Sequence, residues 1–273
     1  MFGGFFDKMY YGDPRKPDLG KEDVKNVGRF KLFFTVLQVR FWKLVQLNLM
    51  YVLFWIPTFF LVYTQALVSI KLQEPLSLLF FLLLIPCLLL TGPATAGITY
   101  VIRNWARDEH AWIWSDFKDA WKQNWKESLI IMLINGLALM LFYVNIRFYR
   151  GMVAKSFGFL VLYYFIWCIG IIYSMMNMFI FPMLVTYTLN VRQILKNAFI
   201  FTMAELPRTL GIFALAVGIF IATFELYTIP VFIIGFTLPA LVVNSYTNWV
   251  FDKYINKRLK QQNEAQDEVE ELE

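Results

Sequence analysis

The sequence predicts an all-α, polytopic membrane protein with six transmembrane helices and cytoplasmic amphipathic helices. Three observations carry that expectation: an excess of apolar side chain, charge-free runs of spanning length, and a lopsided distribution of lysine and arginine. Of 273 residues, 59% are hydrophobic, 19% aromatic and 16% charged, with a mean hydropathy of +0.54. A soluble domain carries roughly 45–50% apolar residues, so the excess calls for a bilayer.

A helix rises 1.5 Å per residue, and a hydrocarbon core of about 30 Å takes about 20 mainly apolar residues to cross. Charge-free runs lie between Lys43 and Lys71, Glu74 and Arg103, Glu127 and Arg147, and Lys155 and Arg192. Each spans once. From Thr209 to Phe251 the only charge is Glu225. That stretch is too long for one helix, and Pro230 suits a tight turn between two. The chain therefore divides into an N-terminal linker and interfacial helix (1–43), a six-helix transmembrane domain (44–251) and a C-terminal tail (252–273).

Orientation follows from the basic residues, which favour cytoplasmic segments. Residues 1–43 hold nine, 103–126 five, 192–208 three and 253–260 four, whereas the alternate loops hold only Lys71, Arg147, Arg150 and Lys155. Both termini are expected in the cytoplasm. The start of the chain lacks the basic, apolar and small-residue succession of a cleavable signal peptide.

In order along the chain, Phe2, Phe5, Phe6, Met9 and Tyr10 form an aromatic cluster suited to a membrane surface, and GDPRKPDLG reads as an extended linker. Residues 29–43 place Lys31, Thr35 and Gln38 on one helical face and Phe30, Phe33, Phe34, Leu37 and Phe41 largely opposite, as in an interfacial helix. The first span holds Asn48 and Pro57. An amide in lipid needs a partner on a neighbouring helix. The second span holds Pro86 and then Gly92, Pro93, Ala94, Ala96 and Gly97, where small residues allow close helix approach. These eight residues are the candidate packing positions.

The segment after the second span sets Trp114, Phe117, Trp121 and Trp125 at spacings of three and four, so the rings share a helical face; Lys118, Lys122 and Lys126 fall on another. The expectation is a helix in the headgroup plane, anchored in lipid by its aromatic rings. Trp114, Phe117, Lys118, Trp121, Asn124, Trp125 and Lys126 are the interfacial or partner-contact candidates. Asp116, Asp119 and His110 are solvated ion partners on this reading rather than a catalytic set. A fainter copy follows later: Lys118-Asp119-Ala120-Trp121 parallels Lys196-Asn197-Ala198-Phe199, which points to a duplicated hairpin unit.

The Asn-containing first span, the TGPATAG and ITYVIRNW sequence of the second and the following DFKDAWKQNWKESL resemble the YesL family of bacterial membrane proteins. The positions carrying the resemblance are Thr91, Gly92, Ala96, Tyr100, Phe117, Asn124, Trp125, Lys126 and Ser128, and the match covers roughly residues 40–210. Where many members carry a second glycine and hydroxyl residues, this chain reads Gly-Pro-Ala-Thr-Ala. The resemblance implies a gene near bacterial ABC-type oligosaccharide importers and polysaccharide-degrading enzymes.

Two functional classes remain. In one, the protein is a non-catalytic accessory subunit packed beside the permeases of an ABC importer, within reach of their ATPase. In the other, it is a stand-alone transporter or channel, for which the sole ionisable candidate within the later spans, Glu225, would mark a solute path. No GxxxxGK[ST] loop or Ala-rich coupling loop occurs in the sequence. Two cysteines and one histidine suggest neither a disulfide framework nor a metal site. No cofactor and no nucleic acid is expected; membrane lipids are.

Overall fold

The structure, a computed structural model, describes residues 29–72, 76–225 and 230–256. The Phe2–Tyr10 cluster, the linker after it and the tail from residue 257 lie outside the described residues. Within these, helices run α1 Arg29–Val39, α2 Phe41–Leu72, α3 Leu78–Ala106, α4 Ile113–Gln123, α5 Trp125–Arg150, α6 Phe157–Leu184, α7 Val191–Ala204, α8 Leu206–Glu225 and α9 Thr237–Phe251. A π-helical turn, Val231–Gly235, leads into α9, and another, Asp252–Asn256, follows it. Six stretches are long and apolar enough to cross a membrane: Phe41–Lys71, Leu78–Ala106, Trp125–Lys155, Phe157–Leu184, Leu206–Glu225 and Val231–Asn256. The chain is an all-α, multi-pass membrane protein.

The helices fall into three consecutive units of the same plan. Each opens on a short helix (α1, α4, α7), continues after one interrupting residue into a first span (α2, α5, α8), and returns through a second span (α3, α6, and the stretch containing α9). The interrupting residues are Arg40, Asn124 and Glu205. At all three, the backbone hydrogen bonds continue across the junction. The amide of Arg40, Asn124 or Glu205 donates to the carbonyl four residues back (Val36, Ala120, Phe201), and its own carbonyl accepts from four residues on (Leu44, Ser128, Thr209). The junctions are bends rather than breaks.

The sequence points to two copies of a different unit, two spans joined by an amphipathic helix, whereas the structure contains three copies of a short helix followed by a hairpin. Val36, Ala120 and Phe201 occupy corresponding places, four residues before the junctions, and each is buried; the pairing of Ala120 with Ala198 expected from sequence is three residues out of this register. The second spans α3, α6 and α9 pack on one another, and each also packs on the short helix and first span of the next unit: α3 on α4 and α5, α6 on α7 and α8, α9 back on α1 and α2. The units thus close into a ring with α3, α9 and the Met175–Leu184 half of α6 innermost. The short helices gather at one end, called the collar end below.

Two apolar cores support this arrangement. One joins Phe179, Ile180 and Met183 of α6 to Ile194 and Phe201 of α7 and Val250 and Phe251 of α9; the other joins Val36, Leu44, Leu47, Ile102, Trp105, Phe117 and Leu241. On α1 the buried side chains are Leu32 and Val36, while Phe34 is exposed. That helix therefore docks on the bundle through Leu32 and Val36, with Phe33 and Leu37 packed against the same core, and presents Phe34 outward.

Candidate functional site

The TGPATAG stretch lies inside α3, where Gly92, Pro93, Ala94, Ala96 and Gly97 are all buried. Bulk is excluded there by close approach. A Cβ on Gly92 would stand 2.8 Å from the Ser128 carbonyl oxygen of α5, and one on Gly97 would stand 2.7 Å from the Phe117 ring and 2.9 Å from the Phe117 carbonyl oxygen. The hydroxyls are turned into the helix, since Thr91 donates to the Leu88 carbonyl and Thr95 to the Thr91 carbonyl. Pro57 and Pro86, expected among the packing positions, are instead exposed on the outside of the bundle. Pro86 lies two residues from buried Leu84, about 200° around the helix. A proline alters its own helix's bonding and needs no neighbour to do so.

Asn48 finds the partner that an intramembrane amide requires. Its Nδ2 donates to the carbonyls of Val231 (2.9 Å) and Phe232 (2.7 Å), and its Oδ1 accepts from the amides of Phe236 (2.9 Å) and Thr237 (3.1 Å). The π turn upsets the regular helical ladder, and one side chain from another unit satisfies four backbone groups released there.

The aromatic face of α4 divides. Phe117 is buried and Trp121 half-buried against Phe54 of α2, with ring centroids 6.4 and 4.7 Å away, while Trp114 and Trp125 remain exposed. Of the row of rings expected on one open face, only the two ends remain open to the surroundings. The middle of the face is taken up by α2 and α3. Trp125 also belongs to the next helix, because the chain bends at Asn124, whose Nδ2 donates to the Ala120 carbonyl. Lys118 and Lys126 are exposed, and the Lys126 ammonium lies 5.5 Å from the Trp125 ring. Glu225 is the exposed last residue of α8, next to residues outside the description.

Charged junction residues, which the sequence reading passed over, hold two of the units together at the collar end. Buried Arg40 reaches Asp108 beyond α3 (3.3 Å), donates to the Glu109 carbonyl (3.1 Å) and lies 5.8 Å from the Trp105 ring. Asp108 takes φ +58°, a left-handed conformation that Asp tolerates better than most residues. In the third unit, Glu205 is buried and bonded to Lys253, to the Tyr254 hydroxyl (2.7 Å) and to Arg208 (2.6 Å). Burial pushes the Glu205 carboxyl up, but these donors outweigh it and hold the pKa at about 2.

A crevice of about 770 Å³ opens between α5 and α6, with Trp55, Leu88 and Phe213 at its back. Its walls are mainly apolar. Asn135, Asn145, Tyr173, Ser174 and Asn177 supply the polar exceptions, and the Tyr173 hydroxyl donates to Asn135 Oδ1 at 2.6 Å. The sequence signal for these residues was an amide inside a charge-free run, the same signal that singled out Asn48. A second, polar cleft of about 410 Å³ lies at the collar end, between the Asn124 junction and residues 184–190. Among the described residues no group of three or more His, Cys, Asp or Glu side chains could hold a metal ion.

A sequence family described as "Protein of unknown function, DUF624" matches residues 75–146, which span α3, α4 and most of α5. No curated protein matches the chain. No solved structure matches it either.

Proposed function

We propose that the chain is a non-catalytic accessory subunit of a bacterial ABC-type oligosaccharide importer, seated beside the permeases in the cell membrane with the collar end and both termini in the cytoplasm. The observation that carries this reading is α6. Its buried residues are confined to Met175–Leu184, and its other half exposes Phe157, Val161, Leu162, Tyr164, Phe165 and Ile169. A span with so little intramolecular packing offers a lateral face to another membrane protein. The YesL resemblance supplies the kind of partner, and it agrees with the matched domain, which YesL-like proteins carry. The test is a tagged purification in mild detergent combined with uptake in reconstituted vesicles. Copurifying permeases are expected; a solitary protein that moves sugar unaided would overturn the reading.

The crevice between α5 and α6 favours the second reading, a stand-alone transporter or channel for sugars or related solutes. Aromatic walls and a few amides suit a solute with both apolar and hydroxyl-bearing faces. Asn135→Leu separates the two, because it should leave an accessory role intact and impair a solute path.

A further inference from the structure

The three units differ at one corresponding place. In the first, the junction residue Arg40 meets an opposite charge, Asp108, just past the second span; in the third, the junction residue Glu205 meets Lys253 near the end of the second span. Each of these contacts ties the bend at the start of a unit to the far end of its own hairpin. In the second unit the junction residue is Asn124, an uncharged side chain bonded back to its own helix. There the corresponding space is the polar cleft of about 410 Å³, lined by Gln123, Asn124 and Glu127 on one side and residues 184–190 on the other.

Two contacts hold the far wall of that cleft in place from behind. Arg103 donates to the Val185 carbonyl (2.8 Å) and to the Thr186 hydroxyl (3.2 Å), and the Tyr187 hydroxyl donates to Asn256 (3.4 Å). The α6–α7 connection is thereby bound to the ends of α3 and the last π turn and does not close on Asn124. Glu127, one helical turn past the junction, is the only carboxylate in the lining and has no hydrogen bond or ion pair among the described residues. The Val185 carbonyl and the Thr186 hydroxyl are already engaged by Arg103, which leaves the Glu127 carboxylate as the charge in the lining that nothing in the described chain meets. A guanidinium or ammonium group offers only donors.

We propose that this cleft receives a basic side chain, arginine or lysine, from a partner membrane protein, so that the partner supplies in the second unit the charge contact that the chain supplies to itself in the other two. The proposal rests on the accessory reading above and names the chemistry by which the partner is held. A carboxylate accepts arginine in a forked, two-bond geometry that lysine cannot reproduce.

The test uses full-length protein in mild detergent, with N-acetyl-arginine amide as probe and N-acetyl-citrulline amide as its uncharged isostere, followed by saturation-transfer NMR. Saturable binding of the arginine amide is expected, with at least about tenfold weaker binding of the citrulline amide and a similar loss in Glu127→Gln. Asn124→Arg, which gives the second unit a guanidinium of its own at the junction, should abolish probe binding without lowering Tm, so that lost binding is separable from misfolding. Equal binding of the two amides, undiminished binding to Glu127→Gln, or no saturable binding would overturn the proposal. If permeases copurify with the wild type and equally well with Glu127→Gln, the accessory reading stands and this inference fails.

Discussion

The Phe117 ring fills the place where any side chain on Gly97 would begin, with its Cδ2 atom 2.7 Å from an ideal Cβ position there. Because the Phe117 carbonyl oxygen is also within 2.9 Å, rotating the ring cannot make room. Gly97→Ala should force α4 away from α3 at a cost of about 1–3 kcal/mol, the usual range for overpacking. Thermal unfolding in detergent measures it as a lowered Tm. An unchanged Tm would mean that the two helices are not in contact here.

Asn48 serves the backbone of another span with all of its hydrogen-bonding capacity, so shape alone should not replace it. Asn48→Asp preserves the outline but sets a carboxylate oxygen against the carbonyls of Val231 and Phe232. With a buried unpaired group costing about 1–3 kcal/mol, Asn48→Asp and Asn48→Leu should each lose about 3 kcal/mol or more. Equilibrium unfolding in detergent reads the loss. Wild-type stability in Asn48→Asp would reduce the residue to a space-filler.

Glu205 makes the collar end sensitive to acid. Its folded pKa of about 2 lies below the ordinary value of 4.5, so its contribution is fully present above about pH 5 and is lost as pH falls from there through 2. Between pH 6 and 8 this group should leave Tm unchanged. Glu205→Gln should lower Tm at neutral pH and flatten the acid limb of the Tm–pH curve. A limb equally steep in the variant would assign the sensitivity elsewhere.

Sidedness follows from the proposed orientation. Cysteines introduced at Lys118 or Lys122 should resist an impermeant thiol reagent added to intact cells, whereas one at Lys71 should react. The reverse pattern would invert the bundle and place the collar end outside.

The six spans were legible because charges punctuate them: Lys43, Lys71, Glu74, Arg103 and Glu127 delimit apolar runs long enough to cross. The bends at Arg40 and Asn124 were not, since both residues are compatible with helix and neither proline nor glycine stands beside them; at Glu205 the mark was Pro207, which suits the first turn of any helix. Periodicity showed that Phe117 and Trp121 share a face with Trp114 and Trp125, but it does not say whether such a face meets lipid or protein. The third copy of the unit stayed hidden because the places four residues before the junctions carry Val36, Ala120 and Phe201, three unlike side chains. In the candidate site, Asn48 was visible as an amide in an apolar run. Asn135 and Asn177 send the same signal, and only three-dimensional proximity to Tyr173 gives it meaning.

The four bonds of Asn48 join residues 183 to 189 positions apart, and that separation bears on biosynthesis. Chains emerge N-terminus first at about 5–20 residues per second, so Asn48 enters the membrane many seconds before its partners exist. During that interval its amide must be met by water, by lipid headgroups or by the insertion machinery. A nascent chain halted before residue 231 cannot close the ring, which makes the first span a natural point of surveillance for incomplete products.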